Sequence, residues 1–550
     1  MKSSLAPALC LPLLAALMGC AIASPQPEAR LFPLLDGLGD HHHPITTPVA
    51  EAQRYFDQGL ILAFGFNYPG ALRSFREAQR LDPGCAACFW GEALVLGPNI
   101  NMPMNPDNNA IALAALQRAQ ALGAAATERE RAYIRALTAR YRPQAAAQDR
   151  AALDQAYAQA MGEVASQYPD DLDAQALYAE ALLDTTPWDY WLPDGSARPV
   201  TENALNRLQA VLQRAPQHPL ANHLYIHAVE AEHPERGRQA AERLLDLVPG
   251  AGHLVHMPSH IYIRTGDYHR ATQTNLAAIE ADRRYLAQVQ ALGEYRLAYV
   301  PHNYHFLWAT ATFEGRSELA IQSARKMAAL VDTDAMRDPV LSTLQHYWIT
   351  PLYALVRFGQ WDEILDWPQP EEDLVYPRGV WHYARGMALA RQGQPERARS
   401  EWAALQALVD DRRLEWVTVW DINKGRHILE IASHALAGEV AAAAGDPEAA
   451  VASLRRAVAR EDALNYDEPP TWHFPMRQAL GAALLQAGRP AAAAEAYRQD
   501  LQAFPDNGWS LFGLLEALRR QGEVAEANLV ASRFRKAWQH ADITLTASQF

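Results

Sequence analysis

The sequence predicts an all-α fold, a right-handed α-solenoid of roughly twelve helical hairpins. Three observations carry that expectation. Small residues recur at a fixed spacing along most of the chain, histidines recur at the same place before successive turn glycines, and 550 residues exceed what one compact core accommodates. Such a length calls for several domains or an extended array, and the repeats select the array. Hydrophobic residues make up 49% of the chain, which excludes wholesale disorder. With 63 Asp and Glu against 49 Lys and Arg, the net charge is −14. Nucleic acid is therefore not expected as a partner, because a surface that tracks phosphates needs a basic face.

Taken in chain order, residues 1–19 read as a lipoprotein signal peptide. Lys2 precedes an apolar run from Leu5 to Met18 that is too short to span a bilayer and ends in Leu17-Met18-Gly19-Cys20. This stretch resembles a bacterial lipobox, which implies cleavage before Cys20 and lipidation of its thiol. Ala21 after Cys20 resembles the sorting pattern of outer-membrane lipoproteins, so the expected location is periplasmic, with a lipid anchor as the contact with the membrane. A plain signal peptide cut after Ala23 leaves the same exported chain. Residues 20–50 form a proline-rich linker with the run His41-His42-His43, which either folds back to add a ligand or trails as a metal-scavenging tail. In an oxidising compartment Cys85 and Cys88 read as a disulfide, with a redox motif or a soft-metal site as the alternatives.

From Glu51 the pattern becomes helical and repetitive, and it stays so to about residue 540, before a tail over 541–550. Gly59, Ala71, Phe75, Ala78 and Pro83 have the spacing of a tetratricopeptide repeat, and the chain resembles that superfamily over nearly all of 51–537. Small residues stand where two helices touch, a large one fills the gap, and a proline ends the unit. The resemblance implies that the first helix of each pair lines a concave surface. Two stretches interrupt the array. Asp184–Pro199 carries Trp188, Tyr190 and Trp191, and Asn465–Arg477 carries Asp467, Glu468, Pro469 and Pro470. Insertions in a solenoid emerge as loops on one face, and their aromatic content predicts lids over the bowl.

The chemistry-bearing signal is histidine. Relative to Gly266, His253, His256 and His260 stand at −13, −10 and −6. His302 and His305 stand at −13 and −10 from Gly315, and His346 at −13 from Gly359. A shift of 33 residues places His223 under His256 and His227 under His260. Positions −10 and −6 are four residues apart and so share a helix face, and neighbouring helices lie about 10 Å apart, close enough for imidazoles to converge. His223, His227, His253, His256, His260, His302 and His305 are therefore the candidate metal ligands. Imidazole suits copper, zinc, iron or nickel rather than magnesium or calcium, and copper or zinc is the expected cofactor.

Glu230, one turn beyond His227, is a candidate ligand or general base, and Asp467 and Glu468 are the other proton-handling candidates. Tyr225 and Tyr262 are displaced from the histidine face and belong to the core. Arg264 and Asn303 are placed to hold an anionic ligand, and Met102 and Met104 offer thioethers at a spacing that suits Cu(I). No nucleophile triad, phosphate-binding glycine loop or His-Glu-x-x-His signature is visible.

More narrowly, Tyr55–Leu60, Phe89-Trp90-Gly91 with Gly97–Asn101, His256-Met257-Pro258-Ser259-His260-Ile261-Tyr262 and Tyr466–Pro470 resemble a group of exported bacterial tetratricopeptide lipoproteins, from which no activity carries over. Packing alone does not require His-Met-Pro-Ser-His on a helix, and Pro258 opens backbone hydrogen bonding beside the histidines. The expected function is transition-metal binding through concave-face histidines, with a metal-dependent oxidase or hydrolase as its catalytic form. The alternative is a scaffold that grips a protein, peptide or small molecule in the bowl.

Overall fold

The computed structural model describes residues 32–144, 149–289, 293 and 295–550. The signal segment, with Cys20, lies outside them. Among the described residues the helices pair into twelve hairpins, from Ala50–Phe64 with Tyr68–Leu81 to Gly508–Gln521 with Val524–Ala537, and each hairpin packs on the next. The architecture is a tetratricopeptide-like, all-α helical repeat. A two-stranded β-ribbon, Thr418–Val419 with Asn423–Lys424, interrupts it.

The small-residue spacing has a direct steric cause. Phe75 lies between Gly59 and Gly91, and a Cβ on either glycine would fall 2.6 or 2.5 Å from its ring. Tyr497 is gripped in the same way by Gly481 and Gly513. One large ring thus fills the gap between two helices that glycine lets approach, which is how each hairpin docks on its neighbour at the density of a protein interior.

Both ends of the described chain are docked. The Tyr55 hydroxyl donates to the Phe32 carbonyl at 2.8 Å, and the Tyr497 and Ser548 hydroxyls are 2.7 Å apart. Cys85 and Cys88 are joined as a disulfide at the start of helix Ala86–Leu94. No helix among the described residues is long and apolar enough to cross a membrane. The apolar interior divides into two main clusters, one built from residues up to Val300 and the other from Ile263 onward. Helices Pro258–Arg264 and Val300–Phe313 stand where the two meet, and the histidines lie on them and on their neighbours.

Candidate metal centre

Three first helices carry the imidazoles. Pro219–Val229 supplies His223 and His227, and Val300–Phe313 supplies His302 and His305. Between them, one helical stretch is split by Pro258 into Gly252–His256 and Pro258–Arg264, carrying His253, His256 and His260. The proline withholds one backbone N–H, and the chain breaks at Met257, between the two histidines that face each other. All seven rings are at most 8% exposed. They are not spread along an open groove, because neighbouring side chains cover them.

Six of the seven converge as two abutting trios. Ligand atoms of His223, His227 and His253 lie within 4.8 Å of one another, as do those of His256, His260 and His302. Ring centroids of His227 and His260, one from each trio, are 5.2 Å apart. His305 turns away, stacked on Trp308 at 5.3 Å and facing His346 at 5.3 Å.

The outer nitrogens are tied to acceptors. His223 donates through Nδ1 to the Phe64 carbonyl at 2.6 Å, and His256 through Nδ1 to Asn275 Oδ1 at 2.7 Å. Asn275 is oriented by its own donation from Nδ2 to the Ala271 carbonyl, so its oxygen faces the ring. His260 Nδ1 lies 2.7 Å from Glu230 Oε2, an ion-pair distance without hydrogen-bond alignment. The Nε2 atoms of His256 and His260 face each other across 2.9 Å, the distance of a hydrogen bond in which either ring can be the donor. Two imidazoles on one ion, each 2.0–2.1 Å from it, sit about 3 Å apart. Nε2 of His223, Nε2 of His227, both ring nitrogens of His253 and Nδ1 of His302 are also buried without a hydrogen-bond partner, each costing on the order of 1–3 kcal/mol unless something joins them.

Electrostatics keep these rings in the ligand form. Burial, followed by the neighbouring imidazoles, holds His223, His253, His256 and His302 well below the ordinary histidine value, so they are neutral. Glu230 is fully buried between the trios, with Oε1 3.4 Å from His227 Nδ1. Burial alone would raise its carboxyl, but His260 and His227 outweigh that and bring it down to about 2. It is thus an anion wedged among imidazoles, placed either to coordinate or to orient the rings that do.

Both insertions reach the centre. Trp188 sets its edge on His227 at 5.3 Å, and Trp191 Nε1 donates to the Ala228 carbonyl at 3.0 Å. Asp467 and Glu468 lie near enough for the Glu230 charge to reach them, and burial raises them to about 7 and about 8. Their own hydrogen bonds come from Thr471 and Tyr466. Tyr225 and Tyr262 are core residues, as expected. Arg264 and Asn303 are not available to an anionic ligand. Arg264 donates to the Ala231 carbonyl at 3.1 Å and lies over the Tyr466 ring, and Asn303 donates to Asp282 at 2.7 Å. A helix-end carbonyl is invisible in a residue string, which is why Arg264 looked free. Met104 faces Arg150.

Sequence reasoning missed several contributors. Phe66, at a left-handed φ of 56°, packs on His223 at 4.5 Å, and Trp420, on the turn of the β-ribbon, sets its face 5.8 Å from His302. Asn275 did leave a signal, since it stands 200 residues after Phe75, between Ala271 and Ala278 where the first repeat has Ala71 and Ala78. The run His41–His43 folds back, His42 onto Asp57 and the other two onto Asp173. His41 Nε2 and His218 Nε2 lie 3.0 and 3.1 Å from one of its oxygens, and His43 Nδ1 donates to the other at 2.6 Å. His218 Nδ1 caps the next helix by accepting from Ala221 N–H at 3.4 Å, which leaves its proton on the nitrogen facing Asp173. That group ties down the N-terminal segment, and ligand atoms of His41, Asp173 and His218 lie within 4.8 Å of one another, close enough to hold an ion.

Fold and site together define the class, a tetratricopeptide-like solenoid with an imidazole cluster buried at the junction of its two cores. No family model matches the chain, and no curated protein matches it. Among solved structures, a human IFIT1 dimer with m7Gppp-AAAA aligns over 90% of this chain and 91% of its own at 12% identity, with a TM-score of 0.30. The P58(IPK) TPR domain aligns over 86% and 99% at 12% identity, with a TM-score of 0.23. Likeness at that level transfers no ligand, and the capped RNA belongs to the IFIT1 structure.

Proposed function

We propose that the protein is an exported, lipid-anchored solenoid that binds transition metal, copper or zinc, through His223, His227 and His253 on one side and His256, His260 and His302 on the other. The observation that carries this reading is the convergence of six buried imidazoles as two trios, each with its ligand atoms within 4.8 Å of one another. An ion held by either trio would also engage nitrogens that are otherwise buried without a hydrogen-bond partner. The donor sets are almost wholly imidazole, which suits copper and zinc and excludes magnesium and calcium as resident ions. A trio of imidazoles leaves a further position on its ion, and an ion so held activates water or dioxygen. In that catalytic form Asp467 and Glu468, raised by burial to about 7 and about 8, are the proton-handling groups, while Glu230 stays charged and orients the rings beside it. Export and lipidation rest on Leu17-Met18-Gly19-Cys20.

The test is elemental analysis of protein purified without a histidine tag, beside the His256→Ala/His260→Ala variant. One or two tightly held ions per chain, with at least one lost in the variant, is the expected result. Metal-free wild type that instead co-purifies with a polypeptide, unaffected by chelation, would replace this reading with the scaffold.

A further inference from the structure

The N-terminal segment carries a second ligand set, gathered on Asp173. Asp173 stands in the first turn of helix Leu172–Leu183, and His218 is the N-cap of Pro219–Val229, the helix that supplies His223 and His227. His41 comes to them from the segment ahead of the first helix, Ala50–Phe64. Its Nε2 lies 3.0 Å from Asp173 Oδ1, and Nε2 of His218 lies 3.1 Å from the same oxygen. Neither approach has hydrogen-bond alignment, so all three atoms are buried without a hydrogen-bond partner. His218 is only 4% exposed. His43 shows what an aligned contact looks like at the same carboxylate, for its Nδ1 donates to the other oxygen, Oδ2, at 2.6 Å.

Two imidazole N–H groups serving one carboxylate oxygen would aim at it, and these do not. Three ligand atoms about a common point have instead the spacing of a coordination site, with the nitrogens of His41 and His218 within 4.8 Å of each other. At about 2.0–2.2 Å from one zinc, tetrahedral ligands stand roughly 3.3 Å apart. The two distances to Asp173 therefore need to open by only a few tenths of an ångström, and the ion needs no cavity beyond the ligand atoms' own spacing. Asp173 is in the ligand form, because burial pushes its carboxyl up but the three imidazoles outweigh that and hold it well below the ordinary range. His43 fixes the carboxylate from its far oxygen, and Phe64 sets its ring 5.4 Å from His41 and 6.2 Å from His218. One rearrangement is required. His218 Nδ1 accepts the Ala221 N–H at 3.4 Å, so the proton on Nε2 must move to Nδ1, and a cap of that length is a small loss beside a coordinate bond.

We propose that His41, Asp173 and His218 form a second metal site, which takes one divalent ion of the zinc class and staples the N-terminal segment to the solenoid. Two imidazoles and a carboxylate suit zinc, leave a fourth position on the ion, and distinguish this site from the all-imidazole trios. The ion joins parts of the chain that only the fold brings together, since 130 residues separate His43 from Asp173. Closing so long a loop removes freedom from the unfolded chain, which is the gain a metal clip offers. The site shares no ligand with the imidazole centre, so the two readings stand or fall separately.

Zinc ion alone is the probe, added to the untagged full chain after stripping with a chelator, and bound zinc per chain is counted by elemental analysis after dialysis. His41→Phe keeps a ring against Phe64 and removes both nitrogens, and it is expected to hold one zinc fewer than wild type. Asp173→Asn is expected to lose the same ion, and it carries the test if His41→Phe fails to fold. His256→Ala/His260→Ala is expected to keep that ion, so an imidazole centre that takes no zinc lowers every count without closing the difference. Zinc is also expected to shield the segment ahead of Ala50 from proteolysis in wild type and not in His41→Phe. Equal zinc content in wild type and the folded variants would overturn the proposal, as would cleavage of that segment that zinc leaves unchanged in wild type.

Discussion

The first hairpin and the histidine hairpin use the same backbone positions for opposite chemistry. Phe56, Leu60 and Phe75 in the first correspond, 200 residues later, to His256, His260 and Asn275. All six are at most 2% exposed. In the first hairpin Phe56 and Phe75 pack ring against ring at 5.4 Å. In the second the same pair of positions holds a hydrogen bond of 2.7 Å from His256 to Asn275. The solenoid therefore folds with apolar residues at these places, and packing does not explain the imidazoles. What distinguishes the second hairpin is a set of buried ring nitrogens, its own and those of its neighbours, without hydrogen-bond partners, a burden that a bound cation relieves.

The largest expected effect comes from converting one hairpin's chemistry into the other's. His256→Phe/His260→Leu/Asn275→Phe should keep the helical circular dichroism of the wild type while its metal content falls essentially to zero, because replacing a buried polar network with apolar groups is often neutral or stabilising. Full metal content in that variant would break the comparison.

Acid comes next. Burial holds His346 at about 4 against an ordinary 6.5. Above pH 6.5 both the folded and the unfolded chain carry it neutral and it contributes nothing. As pH falls, the unfolded chain takes up a proton that the folded one refuses, so stability drops between pH 6.5 and 4, by on the order of 3 kcal/mol from this residue. Denaturant titrations of the metal-free protein across that window should show the loss, and a flat profile would contradict the neutral, buried state.

Glu230→Gln is the smallest of the three. It keeps shape and removes the charge that orients His227 and His260, so metal affinity should fall 10–100-fold in chelator competition. An unchanged affinity would demote Glu230 to a packing residue.

Much of this was legible in the sequence because the repeat is local. Gly59, Ala71, Phe75 and Ala78 declare a hairpin within a few turns, and the offsets of His253, His256 and His260 from Gly266 declare a shared face. The proton positions were not legible, since they depend on partners far along the chain. The Phe64 carbonyl that fixes His223 is 159 residues away. Trp188 and the Asp467–Glu468 loop announced themselves as interruptions, whereas Trp420 sits in a turn with no such mark. His305 was in register yet faces His346, because offset fixes a face of the helix and not the neighbour across it.

The most direct measurement is anomalous X-ray diffraction from crystals of the untagged protein at the copper and zinc absorption edges. A peak about 2.0–2.1 Å from both Nε2 of His256 and Nε2 of His260 is the predicted result. Featureless density between those two rings at both edges, with the side chains ordered, would contradict the account.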